Sequence, residues 1–184
     1  MAKDFRTYTN YPIGFRNNNP GNIRTGQSWQ GATGSQNGFV TFKNMAYGIR
    51  AAATVLINNI SSQGNDTIEK LITKYAPPSE NNTEAYINAV SNQTGISRSQ
   101  ILTTDTATVI ALLHAIFTHE NGAWYVNKIS DADISEGLAL LSPVWLMKLQ
   151  NFFVENPDAA TAGAGVLVII AIAVLIALSK KFKK

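Results

Sequence analysis

The sequence of 184 residues contains no cysteine, which excludes disulfides and thiolate metal sites. Charge is sparse, at 15% of residues, and only two histidines are present. The histidines, His114 and His119, stand five apart with no matching acidic partner, so no metal site is expected and both read as structural or peripheral. No repeat and no low-complexity segment is present. The N-terminal stretch MAKDFRTYTNYPIGF lacks the apolar run of a signal peptide. An excess of positive charge is also missing from most of the chain. Residues 1–158 hold 11 Lys/Arg against 12 Asp/Glu, and Lys180, Lys181, Lys183 and Lys184 supply the rest of the formal net charge of +3. The basicity belongs to the tail, so a nucleic-acid partner is not expected.

The hydrophobic fraction of 45% suits a chain with a real core. A domain of roughly 140 residues buries about two thirds of its unfolded surface and needs no covalent staple. The longest uncharged apolar run is AATAGAGVLVIIAIAVLIAL, 159–178. Twenty residues at about 1.5 Å each span about 30 Å, so a transmembrane helix is expected there, with 179–184 as a basic tail against lipid headgroups. Residues 142–158 read as an amphipathic connector. Its Trp145, Phe152 and Phe153 suit either a membrane interface or a face packed on the domain.

Residues 1–15 read as a loosely packed arm, and 16–38, rich in Asn, Gly, Ser and Thr, as loop. The run GFVTF (38–42) predicts one short strand. Helical periodicity and capping residues predict helices over Asn44–Ser61, Ile68–Tyr75, Glu84–Gln93 and Thr106–Glu120, with a further piece over Ile134–Leu141. The fold class is therefore mainly α, with a single domain over 16–141.

One carboxylate looks out of place. Val109, Leu113, Ile116 and Glu120 share one helical face, so Glu120 continues an apolar stripe. It also falls in the last turn, at the negative end of the helix dipole. Both features disfavour the charged form and suit a general acid. A frayed helix end with Glu120 in solvent is the competing reading. The other carboxylates, among them Asp66, Glu80, Glu84 and Asp105, stand where caps and loops expect them.

Four segments, in order, carry a resemblance. NNNPGNIR and WQG (17–31) precede GFVTFKNMAYGIRAAATVL (38–56), KYAPPSENNTEAYINAVSNQTGI (74–96) and HAIFTHENG (114–122). Together they resemble murein-cleaving enzymes of the lysozyme superfamily, the glucosaminidase-type autolysins and flagellar hydrolases, and still more the virion-associated lytic proteins of phages. The resemblance covers about residues 14–125 and implies a lysozyme-like domain needing no cofactor. In the glucosaminidase-type enzymes the catalytic Glu precedes the Asn loop. Here Asp4 is the only acid before residue 17, and the best match to that helix end is Glu120-Asn121-Gly122. The resemblance thus implies a circularly permuted domain whose Glu120 faces residues 18–23 across a cleft.

It further implies a lytic transglycosylase in which Glu120 is the catalytic acid. Asn19 and Asn22 would hydrogen-bond acetamido groups, or else form turns. Trp29, Phe39, Tyr75 and Tyr86 would line the sugar cleft, or else pack the core. Tyr75 or Tyr86 would stabilise the oxocarbenium-like state. The implied partners are peptidoglycan glycan strands, a lipid bilayer and other virion proteins. The implied setting is a virion membrane, or alternatively a host cell membrane, where the enzyme opens the wall as a genome enters the cell. The alternatives are a muramidase or murein endopeptidase on the same scaffold, or a non-enzymatic virion protein.

Overall fold

The computed structural model describes residues 2–79 and 81–141. Within them lie α1 (Ile13–Arg16), the hairpin β1 (Ala32–Gln36) and β2 (Phe39–Phe42), α2 (Met45–Ser62), α3 (Ile68–Tyr75), α4 (Thr83–Thr94), α5 (Thr106–Asn121), α6 (Ala123–Val126) and α7 (Asp131–Ala139). The described chain is mainly helical with one small two-stranded sheet.

Four of the helices, α2, α3, α4 and α5, begin on side-chain caps. Asn44, Asn82 and Asp105 each accept a hydrogen bond from the backbone three residues on, and Thr67 does the same for α3. α7 starts three residues before the apolar periodicity does, because Ser130 and Asp133 form a reciprocal capping box. The hairpin turns on Asn37 and Gly38, both left-handed at φ 51° and 79°, the conformation that suits two antiparallel strands. β1 falls inside the stretch expected to be loop. All five of its residues are exposed, so no alternating pattern marks it; the strand exists through its backbone pairing to β2.

The core forms where α2 packs on α5, α7 and α3. Phe15, Phe42, Met45, Leu112, Leu113 and Phe117 are among its fully buried side chains. Burial stabilises each such side chain by about 1.5–3 kcal/mol. The stripe Val109, Leu113 and Ile116 is buried, and Glu120 at its end is only half-buried. Gly48 lets the Asn-rich loop lie directly on α2: a Cβ there would stand 1.8 Å from the Asn18 carbonyl oxygen.

Two expectations are corrected. The first residues are not a loose arm. Phe5 is only 8% exposed and packs on Phe15, Tyr8 and Tyr11, and the Lys3 carbonyl accepts from the Met45 amide. Their aromatic content, spread irregularly over polar sequence, gives no period to read. The expected fold class is corrected in its membrane part: among the described residues no helix is long and apolar enough to cross a membrane. The run 159–178 expected to do so, with the connector 142–158 and the tail 179–184, lies outside the described residues. The single-pass anchoring in a virion or host membrane rested on that helix and is corrected with it.

Candidate active site

The loop from Asn17 to Arg24 is shaped by its own amides. Asn18 and Asn22 take left-handed φ of 50° and 48°, which asparagine tolerates better than most side chains. The Asn18 amide is fully used: its Oδ1 accepts from the Phe5 amide at 2.9 Å, and its Nδ2 donates to Asp4 and to the Phe42 carbonyl. Asn19 is fully buried. Its Oδ1 accepts from the Ile23 amide at 2.8 Å, and its Nδ2 donates to the Ile23 and Val40 carbonyls, both at 2.9 Å. The expected substrate role of Asn19 is therefore corrected: this side chain is the strut between the loop and β2, with no polar atom left for a ligand.

The loop is clamped onto the end of α5. Asn121 Nδ2 donates to the Pro20 carbonyl at 2.7 Å and to the Phe117 carbonyl at 3.0 Å. Tyr75, from α3, donates its hydroxyl to the Gly21 carbonyl. These contacts bring Asn22 to Glu120. Asn22 Nδ2 donates to Glu120 Oε2 at 2.7 Å, and the Tyr86 hydroxyl, from α4, donates to Glu120 Oε1 at 3.0 Å. Each carboxylate oxygen thus has one protein donor. Gly14 permits the approach, since a Cβ there would lie 2.2 Å from Asn121 Oδ1 and 2.9 Å from Asn22 Oδ1.

Glu120 opens onto a cleft of about 610 Å³. One wall comes from the loop and hairpin, with Asn22, Arg24, Gln27, Trp29 and Phe39. The other comes from α2 and α3, with Val55, Asn59, Lys74 and Tyr75. Trp29 and Phe39 therefore face the cleft, and the Arg24 guanidinium sits 5.3 Å over the Phe39 ring. Tyr86 lies behind Glu120, only 2% exposed. Its ring stacks on His119 at 3.6 Å between centroids. Both tyrosine hydroxyls are engaged, Tyr75 with the loop and Tyr86 with the acid. Asp4, the one acid ahead of the loop, is held below the usual aspartate range by Arg6 and lies with the N-terminal arm.

Burial, and then the negative charge of Glu120, push the Tyr75 and Tyr86 hydroxyls well above the usual tyrosine value. Both stay neutral donors at any physiological pH. Among the described residues no cluster of His, Asp or Glu is arranged to hold a metal ion. Glu120 is the only carboxylate among the described residues that line the cleft.

Sequence reasoning missed Asn121, Lys74 and Asn59. Asn121 carried a signal, being polar on the last turn of a helix whose neighbours Ile116 and Phe117 are buried. Lys74 carried none, because it sits at an ordinary helical surface position; Asn59 is buried on α2, in line with Ala52 and Leu56.

The fold and cleft define a small, mainly helical domain organised around one carboxylate held between an Asn-rich loop and a buried tyrosine. No protein-family model matches the chain. It is 40% identical over 116 residues to Protein P5 of Pseudoalteromonas phage PM2, a match covering 60% of this chain and 71% of that protein. The chain belongs to the family of that phage protein.

Proposed function

We propose that this domain is a peptidoglycan lytic transglycosylase with Glu120 as its general acid and base. The observation that carries the reading is the placement of Glu120. Its carboxylate sits on a glycan-sized cleft with aromatic walls, one oxygen on Asn22 and the other on Tyr86, without a second described carboxylate lining that cleft. Two carboxylates are the usual equipment for glycoside hydrolysis. One suffices when the substrate supplies its own nucleophile.

In this scheme protonated Glu120 gives its proton to the glycosidic oxygen as the bond from that oxygen to C1 breaks. The 6-hydroxyl of the same sugar then attacks C1, and Glu120 takes back the hydroxyl proton. No water is consumed, and the product carries a 1,6-anhydro ring. Asn22 and the neutral Tyr86 hydroxyl hold the carboxyl group in one orientation through both steps. Trp29 and Phe39 offer ring faces to the sugar.

The test is digestion of purified murein by the full chain, with mass spectrometry of the fragments. Anhydro-muramic ends are expected, and Glu120→Gln is expected to slow their release by roughly a hundredfold to ten-thousandfold. Reducing ends would make the protein a hydrolase, and severed cross-links a peptidase. Inert murein with both proteins would leave an architectural role in the virion.

A further inference from the structure

Among the described residues, the lysines and arginines are engaged almost without exception. Each meets a carboxylate, a carbonyl oxygen or an aromatic ring. Lys74 is the exception. Its ammonium makes no hydrogen bond, ion pair or ring contact with any described residue, and it is exposed on the wall of the cleft that holds Glu120.

Lys74 also lies in the last turn of α3, where a cation is favoured by the free carbonyls. That accounts for a lysine at a helix end, but not for its standing in the cleft unpaired. A neutral glycan gives an ammonium little to do. Sugar hydroxyls and acetamido groups are matched by amides and ring faces, which Gln27, Trp29 and Phe39 already supply. An ammonium recognises an anionic oxygen group such as a carboxylate. Glu120, the carboxylate already lining the cleft, has both oxygens engaged by Asn22 and Tyr86.

We infer that Lys74 is a specificity residue that binds a carboxylate carried by the glycan, so that the cleft takes an acidic glycan in preference to a neutral one. The inference rests on the glycan-cleaving reading of the site and names the substrate class it accepts. The carboxylate comes either from an acidic ether on the sugar ring or from a peptide attached to it.

Binding is measured by calorimetry on the full chain carrying Glu120→Gln, so that no ligand is consumed. Three probes are used: the neutral N-acetylglucosamine tetramer, a peptide-free murein tetrasaccharide with its ether carboxylates exposed, and the same tetrasaccharide bearing peptide stems. At least one acidic probe is expected to bind about tenfold more tightly than the neutral tetramer, about 1.4 kcal/mol. Which acidic probe gains affinity tells ring carboxylate from stem carboxylate. Adding Lys74→Met is expected to remove the gap, and Lys74→Arg to keep most of it. A role confined to the helix dipole would lower the melting temperature and leave the gap intact, which overturns the inference. So would equal affinity for all three probes, or no binding of any. Turnover by the wild-type chain is read separately. Cleavage without a Lys74-dependent gap sinks the specificity role alone. A gap without cleavage sinks the transglycosylase reading and leaves an acidic-glycan site.

Discussion

The two donors that hold Glu120 answer differently to pH. The Asn22 amide does not titrate. The Tyr86 hydroxyl does, but burial and the charge of Glu120 keep it protonated far into the alkaline range, and Tyr75 behaves alike. A tyrosine pushed up in the folded state favours folding below its ordinary value of about 10, and that contribution is lost as pH rises beyond it. The chain has six tyrosines. In an alkaline titration followed by tyrosinate absorbance, Tyr75 and Tyr86 are expected to remain silent until the protein unfolds; replacing both by Phe should leave the native-state curve unchanged. Glu120 was legible at this scale because it continues an apolar stripe with a carboxylate, and Asn22 because its loop resembles a known motif. Asn19 was misread for a physical reason. An amide's role is set by the backbone groups around it, here Ile23 and Val40, and the second is 21 positions away. Nothing local distinguishes such a strut from a ligand-binding amide.

Among the elements, the helices were the most legible part of the fold, and α7 shows why their starts are harder. Its apolar pattern begins at Ile134, yet the helix begins at Asp131, because Ser130 and Asp133 cap it. Burial opposes ionisation of Asp133, but the Lys3 ammonium and the Ser130 hydroxyl and amide outweigh it and hold the carboxyl below the usual aspartate range. A lowered carboxyl contributes stability above its unfolded value of about 4, and that contribution disappears as pH falls through the folded value. Asp133→Asn is therefore expected to destabilise the protein by about 1 kcal/mol at pH 7, with the difference from wild type shrinking in denaturant melts below about pH 4. β1 was illegible because a wholly exposed strand has no apolar face to alternate. Its only sequence mark is the Asn37-Gly38 turn that follows it.

Across the molecule, the N-terminal residues act as a clasp. Lys3 joins α2 through its carbonyl and α7 through its ammonium on Asp133, and Phe5 closes the aromatic cluster with Tyr8, Tyr11 and Phe15. Phe5→Ala is expected to cost roughly 3 kcal/mol, read as a lower midpoint in urea at unchanged slope. Deleting the exposed Tyr8 side chain should move the midpoint far less.

The contact between Asn22 and Glu120 closes over 98 positions, and that between Asn121 and Pro20 over 101. Synthesis proceeds from the loop toward the acid. A nascent chain that has released the loop, the hairpin, α2, α3 and α4 still has no Glu120 in its cleft and no Asn121 on Pro20. Long-range closures of this kind are also the slow ones in folding. The site therefore comes into being as one of the last events in the making of the domain. Every shorter product, whether from a stalled ribosome or a protease cut ahead of α5, is born without it.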